Sequence, residues 1–319
     1  MTARNTCRTT ATRARIAAVG AIAVAGSLML TACGDQTTSG SNETDGTTAS
    51  SAALFDKLPK KYQDSKVIKV GTDAAYAPME YEEGGKIVGI DPDIAAALGK
   101  ELGVNFQFTS GTFDGLISSL NTGRQDVVMS AMSDTKARQD GLDDKGKKVG
   151  EGVDFVDYFT SGVSLLVKKG NPDKITTLDD LCGKKVAVQR GTIYEDTFKT
   201  QATKCKTDGK GTLTIEAFDT DAEAQTRVKS GGAVADLNDY PVAAHIAKTA
   251  GGGNDFEVAG DQTGAGPFGI AVDKDNAQLR DALKEALDAI IKNGEYKKVL
   301  EKWDVTNSAV TEATINAGK

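Results

Sequence analysis

Four short segments of this chain carry side chains that could bind or transform a small molecule, and they lie next to predicted strands and helices. Their residues include Asp73, Tyr76, Phe113, Asp114, Ser130, Ser133, Thr135, Arg138, Gly191, Thr192 and Asp239. In an open α/β sheet, ligands bind at the carboxyl ends of the strands, so the pattern predicts a ligand site at that edge. Each residue alone also has a structural interpretation. Tyr76 and Phe113 would be core residues, and Arg138 would pair with an acid of the polar segment 139–152.

The common catalytic and metal-binding motifs are absent from the sequence. The one histidine, His245, stands in an alanine-rich segment, where a packed or surface side chain is more typical than a base. No Cys/His cluster has zinc-site spacing, and there is no GxSxG, P-loop or GxGxxG motif. The sequence therefore predicts no cofactor, no metal and no enzymatic activity. Hydrolysis by paired carboxylates stays open, because the chain has 45 acidic residues.

Strands and helices alternate along the chain, which predicts an α/β fold with mainly parallel sheets. Asp91-Pro92 is predicted to begin a helix, with Asp91 as the capping acid. A helix that ends in glycine and is followed by a strand occurs twice, at Gly123 and at Gly231. This faint repeat indicates two similarly built lobes. Between them, segment 139–152 is predicted to be an exposed loop.

The first 33 residues have the pattern of a secretory signal. Four arginines and no acid precede the apolar run 16–30, which is short for a spanning helix of about 20 residues. The run ends in Leu30-Thr31-Ala32-Cys33, which resembles a bacterial lipobox. We therefore expect a signal peptide over residues 1–32 and a lipid anchor, including palmitate, on Cys33. The alternative is an ordinary signal peptide with a chance cysteine.

Composition limits the possible partners. The formal net charge is −7, and removal of the signal peptide would take away arginines but no acid. Such an acidic chain is a poor candidate for binding nucleic acid, whose phosphates require clustered Lys and Arg. Residues 34–51 contain mainly Gly, Ser, Thr and acids. We therefore expect residues 33–65 to comprise the lipidated cysteine and a flexible tether.

The cysteines indicate one disulfide. Cys7 would leave with the signal peptide and Cys33 would carry the lipid, so Cys182 and Cys205 remain. In an exported protein, a remaining pair is most simply a disulfide. It would join the start of a predicted strand to the end of the following helix.

Seven segments share the pattern of one known family. They are VGTDAAYAPMEY at 70–81, KIVGIDPDIAAALGKELG at 86–103, FDGLISSLNTGRQDVVMSAMSDTKARQ at 113–139, DLCGKKVAVQRGT at 180–192, DYPVAA at 239–244, FGIAV at 268–272 and NGEYKKVLEKW at 293–303. In this order they resemble the bacterial extracellular solute-binding proteins for polar amino acids, which are the receptors of ABC importers. The resemblance covers about residues 66–304. One departure is Val234, where members usually carry an acid, and we interpret that position as structural.

The resemblance implies a two-lobed periplasmic-binding-protein fold of type II. Each lobe would be a mainly parallel sheet flanked by helices, with the ligand cleft between the lobes. The implied boundaries are 66–163 plus 268–308 for lobe 1, 164–267 for lobe 2 and 309–319 for a C-terminal tail, with crossovers near Gly162-Val163 and Phe268-Gly269.

The resemblance also assigns roles at the two charged ends of an amino acid. Arg138 would bind the α-carboxylate, with Ser133 and the Gly191-Thr192 turn as further donors. Asp239 would bind the α-ammonium group, with Ser130 as a neutral partner.

The other candidate residues concern the ligand side chain. Tyr76 and Phe113 would pack against its aliphatic part. Asp73 occupies the position that faces the ligand side chain in relatives, with Gln189 and Glu80 near it. A carboxylate there favours a basic or amide side chain over glutamate or aspartate, whereas Arg190 would oppose that preference if it pointed into the cleft.

The resemblance thus implies a monomeric receptor, lipid-anchored on the extracytoplasmic face of the cell membrane. It would bind a free amino acid and deliver it to the permease subunits of an ABC importer. Two other classes stay open. One is an enzyme on the same scaffold, similar to dehydratases that act on arogenate or prephenate. The other is a sensory or adhesive lipoprotein.

Overall fold

The computed structural model describes residues 52–143 and 145–319, so the predicted signal peptide and Cys33 lie outside the described residues. The strands are β1 (Val67–Thr72), β2 (Ala75–Tyr76), β3 (Glu80–Glu83), β4 (Lys86–Val88), β5 (Asn105–Ser110), β6 (Val127–Val128), β7 (Val153–Lys168), β8 (Lys185–Gln189), β9 (Thr214–Phe218), β10 (Ala235–Asp239), β11 (Phe256–Asp273) and β12 (Thr314–Ile315). The helices are α1 (Lys60–Ser65), α2 (Ile90–Leu102), α3 (Leu116–Asn121), α4 (Lys136–Asp140), α5 (Ile193–Thr207), α6 (Asp221–Lys229), α7 (Tyr240–Thr249), α8 (Ala277–Asn293) and α9 (Glu295–Lys302).

One large sheet has the strand order β5-β1-β6-β11-β7-β10-β8-β9. We call its β5-β1-β6 end lobe 1 and its β10-β8-β9 end lobe 2. Strand β1 is parallel to β5 and β6, and β8 is parallel to β9 and β10. Strands β2, β3 and β4 form a separate small antiparallel sheet. The α/β fold with parallel-rich sheets, predicted from the sequence, is confirmed.

Two long antiparallel strands, β7 and β11, run through both lobes. In lobe 1 they pair in regular register from Val153 to Asp157, and in lobe 2 they do so again from Leu165 to Lys168. The register shifts three times between these two stretches, within residues 259–269 of β11. The predicted crossovers near Gly162-Val163 and Phe268-Gly269 lie at this irregular part of the two strands.

Both faces of each lobe are covered because neighbouring strand residues point to opposite sides of the sheet. In β6, Val127 packs into the core on the side of α2 and α8, whereas Val128 packs with Leu116 of α3. In β8, Val186 joins the core beneath α5, and its neighbour Ala187 joins the opposite one. Near-continuous apolar strands are typical of such doubly covered sheets.

Three sequence predictions need correction. Helix α2 begins at Ile90 after Gly89, and Asp91 is not its cap. The Asp91 carboxylate is fully buried and accepts hydrogen bonds from the Ala131 amide (2.9 Å) and the Tyr158 hydroxyl (2.7 Å). A helix start is readable from sequence, but the direction of an acidic side chain depends on tertiary partners that come later in the chain.

The described part of the predicted tether is folded. Helix α1 and the turn before it pack on lobe 1 through Leu58 and Tyr62, which are 0% and 2% exposed. The boundary at residue 65 is therefore too late, because these two buried residues, with Leu54 and Phe55 beside them, belong to the lobe 1 core. Likewise, segment 139–152 is not wholly an exposed loop, since it starts inside α4 and Gln139 is buried.

Other sequence expectations agree with the structure. Cys182 and Cys205 form the predicted disulfide, which joins the turn before β8 to the last turn of α5. Within the described ranges, every helix is too short or too polar to span a lipid bilayer.

Candidate functional site

A small cavity lies where the two lobes meet. All nine predicted site residues line it, namely Asp73, Tyr76, Phe113, Ser130, Ser133, Arg138, Gln189, Thr192 and Asp239. The other lining residues are Glu80, Ala131, Ile193 and Tyr194. Several of them stand at the ends of parallel strands, because Asp73 follows β1 directly and Gln189 and Asp239 are the last residues of β8 and β10.

Arg138 provides the cationic side of the cavity. It belongs to the short helix α4, whose N-cap Thr135 accepts a hydrogen bond from the Arg138 amide. The guanidinium donates to the backbone carbonyls of Ser133 (2.7 Å) and Gly191 (3.1 Å) and lies 5.3 Å from the Phe113 ring centre. Burial lowers the pKa of Arg138 to about 10, so the side chain stays protonated at neutral pH. Because a guanidinium has five N–H groups, it retains donors for a carboxylate.

Asp239 provides the anionic side. Its carboxylate is 3% exposed and accepts hydrogen bonds from the Tyr76 hydroxyl (2.7 Å) and the Tyr194 hydroxyl. Burial raises the pKa of Asp239 to about 7, although both tyrosine hydrogen bonds and the Arg138 charge act in the opposite direction. Tyr76 comes from lobe 1, whereas Asp239 and Tyr194 come from lobe 2. The hydrogen bond from Tyr76 therefore joins the two lobes across the cavity.

A second carboxylate group lies deeper on the lobe 1 side. Asp73 accepts a hydrogen bond from the Gln189 amide of lobe 2, and burial raises its pKa to about 6. The Ser130 hydroxyl accepts from the Asp73 amide (2.9 Å) and donates to Glu80 Oε1 (2.7 Å). The other carboxyl oxygen of Glu80, Oε2, is buried without a hydrogen-bond partner. Burial, together with the neighbouring Asp91, raises the pKa of Glu80 well above its ordinary value.

The Gly191-Thr192 turn begins helix α5. The Thr192 hydroxyl donates to the Gln189 carbonyl (2.8 Å) and accepts from the Glu195 amide (3.3 Å), which makes it the N-cap of α5. The Gly191 amide donates to the Glu195 carboxylate (2.9 Å). The Gly191 amide and the Thr192 hydroxyl thus have intramolecular partners, which fix the start of α5, whereas the Thr192 backbone amide is a third donor of the same turn.

The sequence analysis missed one polar residue of the cavity, and it left the direction of the Arg190 side chain undecided. Tyr194 was missed, although its position two residues after the N-cap of α5 was a usable signal. Arg190, whose direction was undecided, is exposed and donates to the Ala217 carbonyl (2.9 Å) next to Asp219. It therefore does not oppose the acidic side of the cavity. No group of three or more His, Cys, Asp or Glu side chains within residues 52–143 and 145–319 is arranged to hold a metal ion.

Comparisons with known proteins agree on one relationship. Residues 68–306 match the profile of the bacterial extracellular solute-binding proteins, family 3. The arginine-binding protein ArgT of Corynebacterium glutamicum is 28% identical over 263 residues, which cover 81% of each chain. An ancestral arginine-binding protein bound to arginine superimposes with a TM-score of 0.65 at 36% identity, covering 75% of this chain and 98% of the other. The ancestral amino acid-binding protein AncCDT-1, a precursor of cyclohexadienyl dehydratase, gives 0.65 at 38% identity, covering 76% and 97%.

Proposed function

Because the chain belongs to the bacterial extracellular solute-binding proteins, family 3, we propose that it is an extracytoplasmic receptor that binds a free amino acid between its lobes and delivers it to an ABC importer. The observation that carries this proposal is the pairing of Arg138 and Asp239 on the walls of one cavity. A free amino acid carries a carboxylate and an ammonium group, and the two side chains have the complementary charges. The protein is a binding protein rather than an enzyme.

The ligand side chain is basic or an amide. Asp73 and Glu80 present carboxyl groups on the lobe 1 side of the cavity, and Gln189 adds an amide. The oxygens of these carboxyl and amide groups can accept hydrogen bonds from an N–H donor of the ligand. A guanidinium, ammonium or amide group supplies such a donor, whereas a second carboxylate does not. The relatives ArgT and the ancestral arginine-binding protein support the same preference.

The first test is calorimetry against the twenty amino acids, ornithine and citrulline. The protein, made without its predicted signal peptide, is first unfolded and refolded to remove ligand carried over from expression. We expect saturable binding of a basic or amide amino acid. Glutamate as the tightest ligand would contradict the side-chain assignment, and the absence of binding at millimolar concentration would contradict the receptor function.

Arg138→Ala is expected to lose binding while the fold survives. An unpaired carboxylate in the closed cavity costs about 3–5 kcal/mol, which corresponds to more than about a hundredfold in affinity. The matched control is Arg190→Ala, because Arg190 is exposed and forms no part of the cavity wall. Calorimetry on both variants, with circular dichroism to verify folding, decides the assignment. Unchanged affinity in Arg138→Ala would refute it.

The proposed anchor is a lipid on Cys33, which would hold a monomeric receptor at the extracytoplasmic face of the membrane beside its permease. The lipobox-like sequence and the polar segment 34–51 support it. Cys33→Ser should move the protein from the membrane fraction to the medium or periplasm and abolish labelling with palmitate. Retention of the variant in the membrane fraction would exclude this anchor.

Two competing functions have direct tests. An enzyme on this scaffold would convert arogenate or prephenate, so the purified protein is incubated with each and the product is measured. A sensory or adhesive lipoprotein would leave amino-acid uptake unchanged when the gene is deleted, whereas loss of uptake supports the receptor.

We propose a lobe 1 of residues 66–163 plus 268–308, extended by the docked residues 52–65 and by β12, and a lobe 2 of residues 164–267, with closure about the irregular part of β7 and β11.

A further inference from the structure

The last residues of the chain are folded onto the large sheet, although they lie beyond the family match, which ends at residue 306. We call residues 313–319 the C-terminal strap. Its strand β12 pairs antiparallel with the lobe 1 part of β7, opposite Val156 and Asp157. Asn316 then exchanges hydrogen bonds with the Phe155 backbone in both directions, at 2.7 and 3.2 Å. The strap is therefore a specific part of lobe 1.

A buried carboxylate fixes the course of the strap. Asp157 is 1% exposed, and its Oδ2 accepts hydrogen bonds from the Thr314 hydroxyl (3.1 Å) and the Ala317 amide (3.1 Å). Asn316 also donates to the Asp154 carboxylate (2.9 Å). These contacts direct the chain after β12 towards the turn that carries Arg138.

The strap then contacts both ends of that turn. The Gly318 amide donates to Asp134 Oδ2 (2.7 Å), and the Gln139 amide group donates to the Gly318 carbonyl (3.3 Å) and to Asp134 Oδ1 (2.8 Å). Asp134 and Gln139 are 3% and 5% exposed. The fit leaves no room for a side chain at residue 318, because a Cβ there would lie 2.1 Å from the Asp134 carbonyl oxygen.

Asp134 and Gln139 flank the residues that face the cavity. Ser133 and Arg138 belong to the same turn, and α4, which contains Arg138, has only five residues. So short a helix is not stable by itself and depends on tertiary contacts. Besides the strap, those contacts include the Thr135 cap and the hydrogen bond from the Asp134 amide to the Pro267 carbonyl (2.9 Å) on β11.

We propose that the C-terminal strap is a positioning element for the carboxylate-binding arginine. It holds the back of the Ser133–Gln139 turn so that the Arg138 guanidinium is preorganised before an amino acid arrives. The role of Arg138 in this proposal rests on the proposed function. That the strap holds the Ser133–Gln139 turn in place does not depend on it. The strap's hydrogen bonds described above go to β7 and to the Arg138 turn, and not to Asp73, Glu80 or Gln189, so its loss lowers affinity for all ligands by the same factor.

Two variants test the proposal: deletion of residues 314–319 and Gly318→Ala. Gly150→Ala is the matched control, since a Cβ there has only an ordinary contact of 3.7 Å with Asn121. Ligand affinity is measured by calorimetry, and hydrogen–deuterium exchange is followed in the peptide spanning residues 133–140. If the deletion variant does not fold, Gly318→Ala decides alone.

We expect both variants to lose about tenfold or more in affinity, since preorganisation of a binding group contributes directly to affinity. The ratio of affinities for two different ligands should be unchanged, and exchange in residues 133–140 should accelerate without ligand. Wild-type affinity and wild-type exchange in the variants would overturn the proposal, and so would a changed ligand ratio. If the wild-type protein binds no amino acid, the proposed function fails, and the exchange experiment still decides whether the strap holds the turn.

Discussion

Asp239 combines burial, a raised pKa and two phenol donors. A carboxyl group whose pKa is raised to about 7 is largely protonated in slightly acidic solution. Only its ionised form binds an ammonium group strongly, so binding must release this proton at or below neutral pH. The residue therefore links amino-acid capture to pH.

The prediction is that affinity falls as the pH decreases from about 8 to about 5, approaching tenfold per pH unit below the pKa of about 7. Calorimetry at several pH values measures the slope, and repetition in two buffers with different ionisation enthalpies counts the protons released. Asp239→Asn, which cannot ionise, should bind weakly with a flatter profile. Proton uptake on binding, or an affinity that is independent of pH, would contradict the prediction.

At the residue scale, the sequence predicted which side chains come together around one cavity. Residues at the ends of parallel strands meet at one edge of a sheet, which predicts part of the set. The order of the motifs, through the resemblance to the family, identified the remaining residues. All nine candidates line the cavity. What could not be predicted is the direction of individual side chains. Arg190 turns away, and Tyr194 turns in to Asp239, because each direction depends on neighbours from distant parts of the chain.

At the scale of elements, the disulfide of lobe 2 is the clearest covalent constraint. It fastens the end of α5 next to the start of β8, and Cys205 is fully buried in the core that α5 covers. The loop closed by the bond spans 23 residues. In the chain-entropy description, such a bond stabilises mainly by restricting the unfolded chain.

Replacement of both cysteines by serine should lower the free energy of unfolding by about 3 kcal/mol. Urea denaturation followed by circular dichroism measures this change. Reduction of the wild-type protein is the control, because it breaks the same bond without altering the sequence, and both should shift the midpoint in the same direction. An unchanged midpoint in both samples would mean that the bond contributes no stability.

The order and type of the elements were predictable because hydrophobic periodicity and glycine stops are local signals. The segment before β1 was not, because it docks through a few scattered apolar residues, chiefly Leu58 and Tyr62, which form no periodic pattern. The strap was missed for a similar reason. Its short strand is held by side-chain hydrogen bonds to Asp157 and Asp134, which have no signature in the strap's own sequence.

At the scale of the whole molecule, one close approach of the lobes involves a glycine. Gly191 of lobe 2 faces Asp114 of lobe 1, and a Cβ on Gly191 would lie 2.8 Å from the Asp114 Cβ. Its φ of +75° is also in the left-handed region that favours glycine. The present distance between the lobes thus requires glycine at this position.

Gly191→Ala should weaken amino-acid binding because the added methyl group holds the lobes apart. Overpacking of this kind costs about 1–3 kcal/mol, which is about 5- to 150-fold in affinity. The control is Gly183→Ala, where φ is +79° but the nearest atom is an ordinary 3.6 Å away, so the backbone strain is similar and the clash is missing. Calorimetry and small-angle scattering with ligand check both variants. A Gly191→Ala protein that binds and compacts like the control would contradict the prediction.

The path of the chain between the lobes also determines the order in which a newly made polypeptide can fold. Strands β8 to β10 and helices α5 to α7 follow one another, so lobe 2 has nearly all its parts soon after they leave the ribosome. Lobe 1 does not, because α2 packs against α8 and α9, which are made much later. Its core stays incomplete until residues 277–302 have been synthesised. For most of its synthesis, the growing chain therefore remains a substrate for chaperones and for machinery that moves unfolded polypeptides.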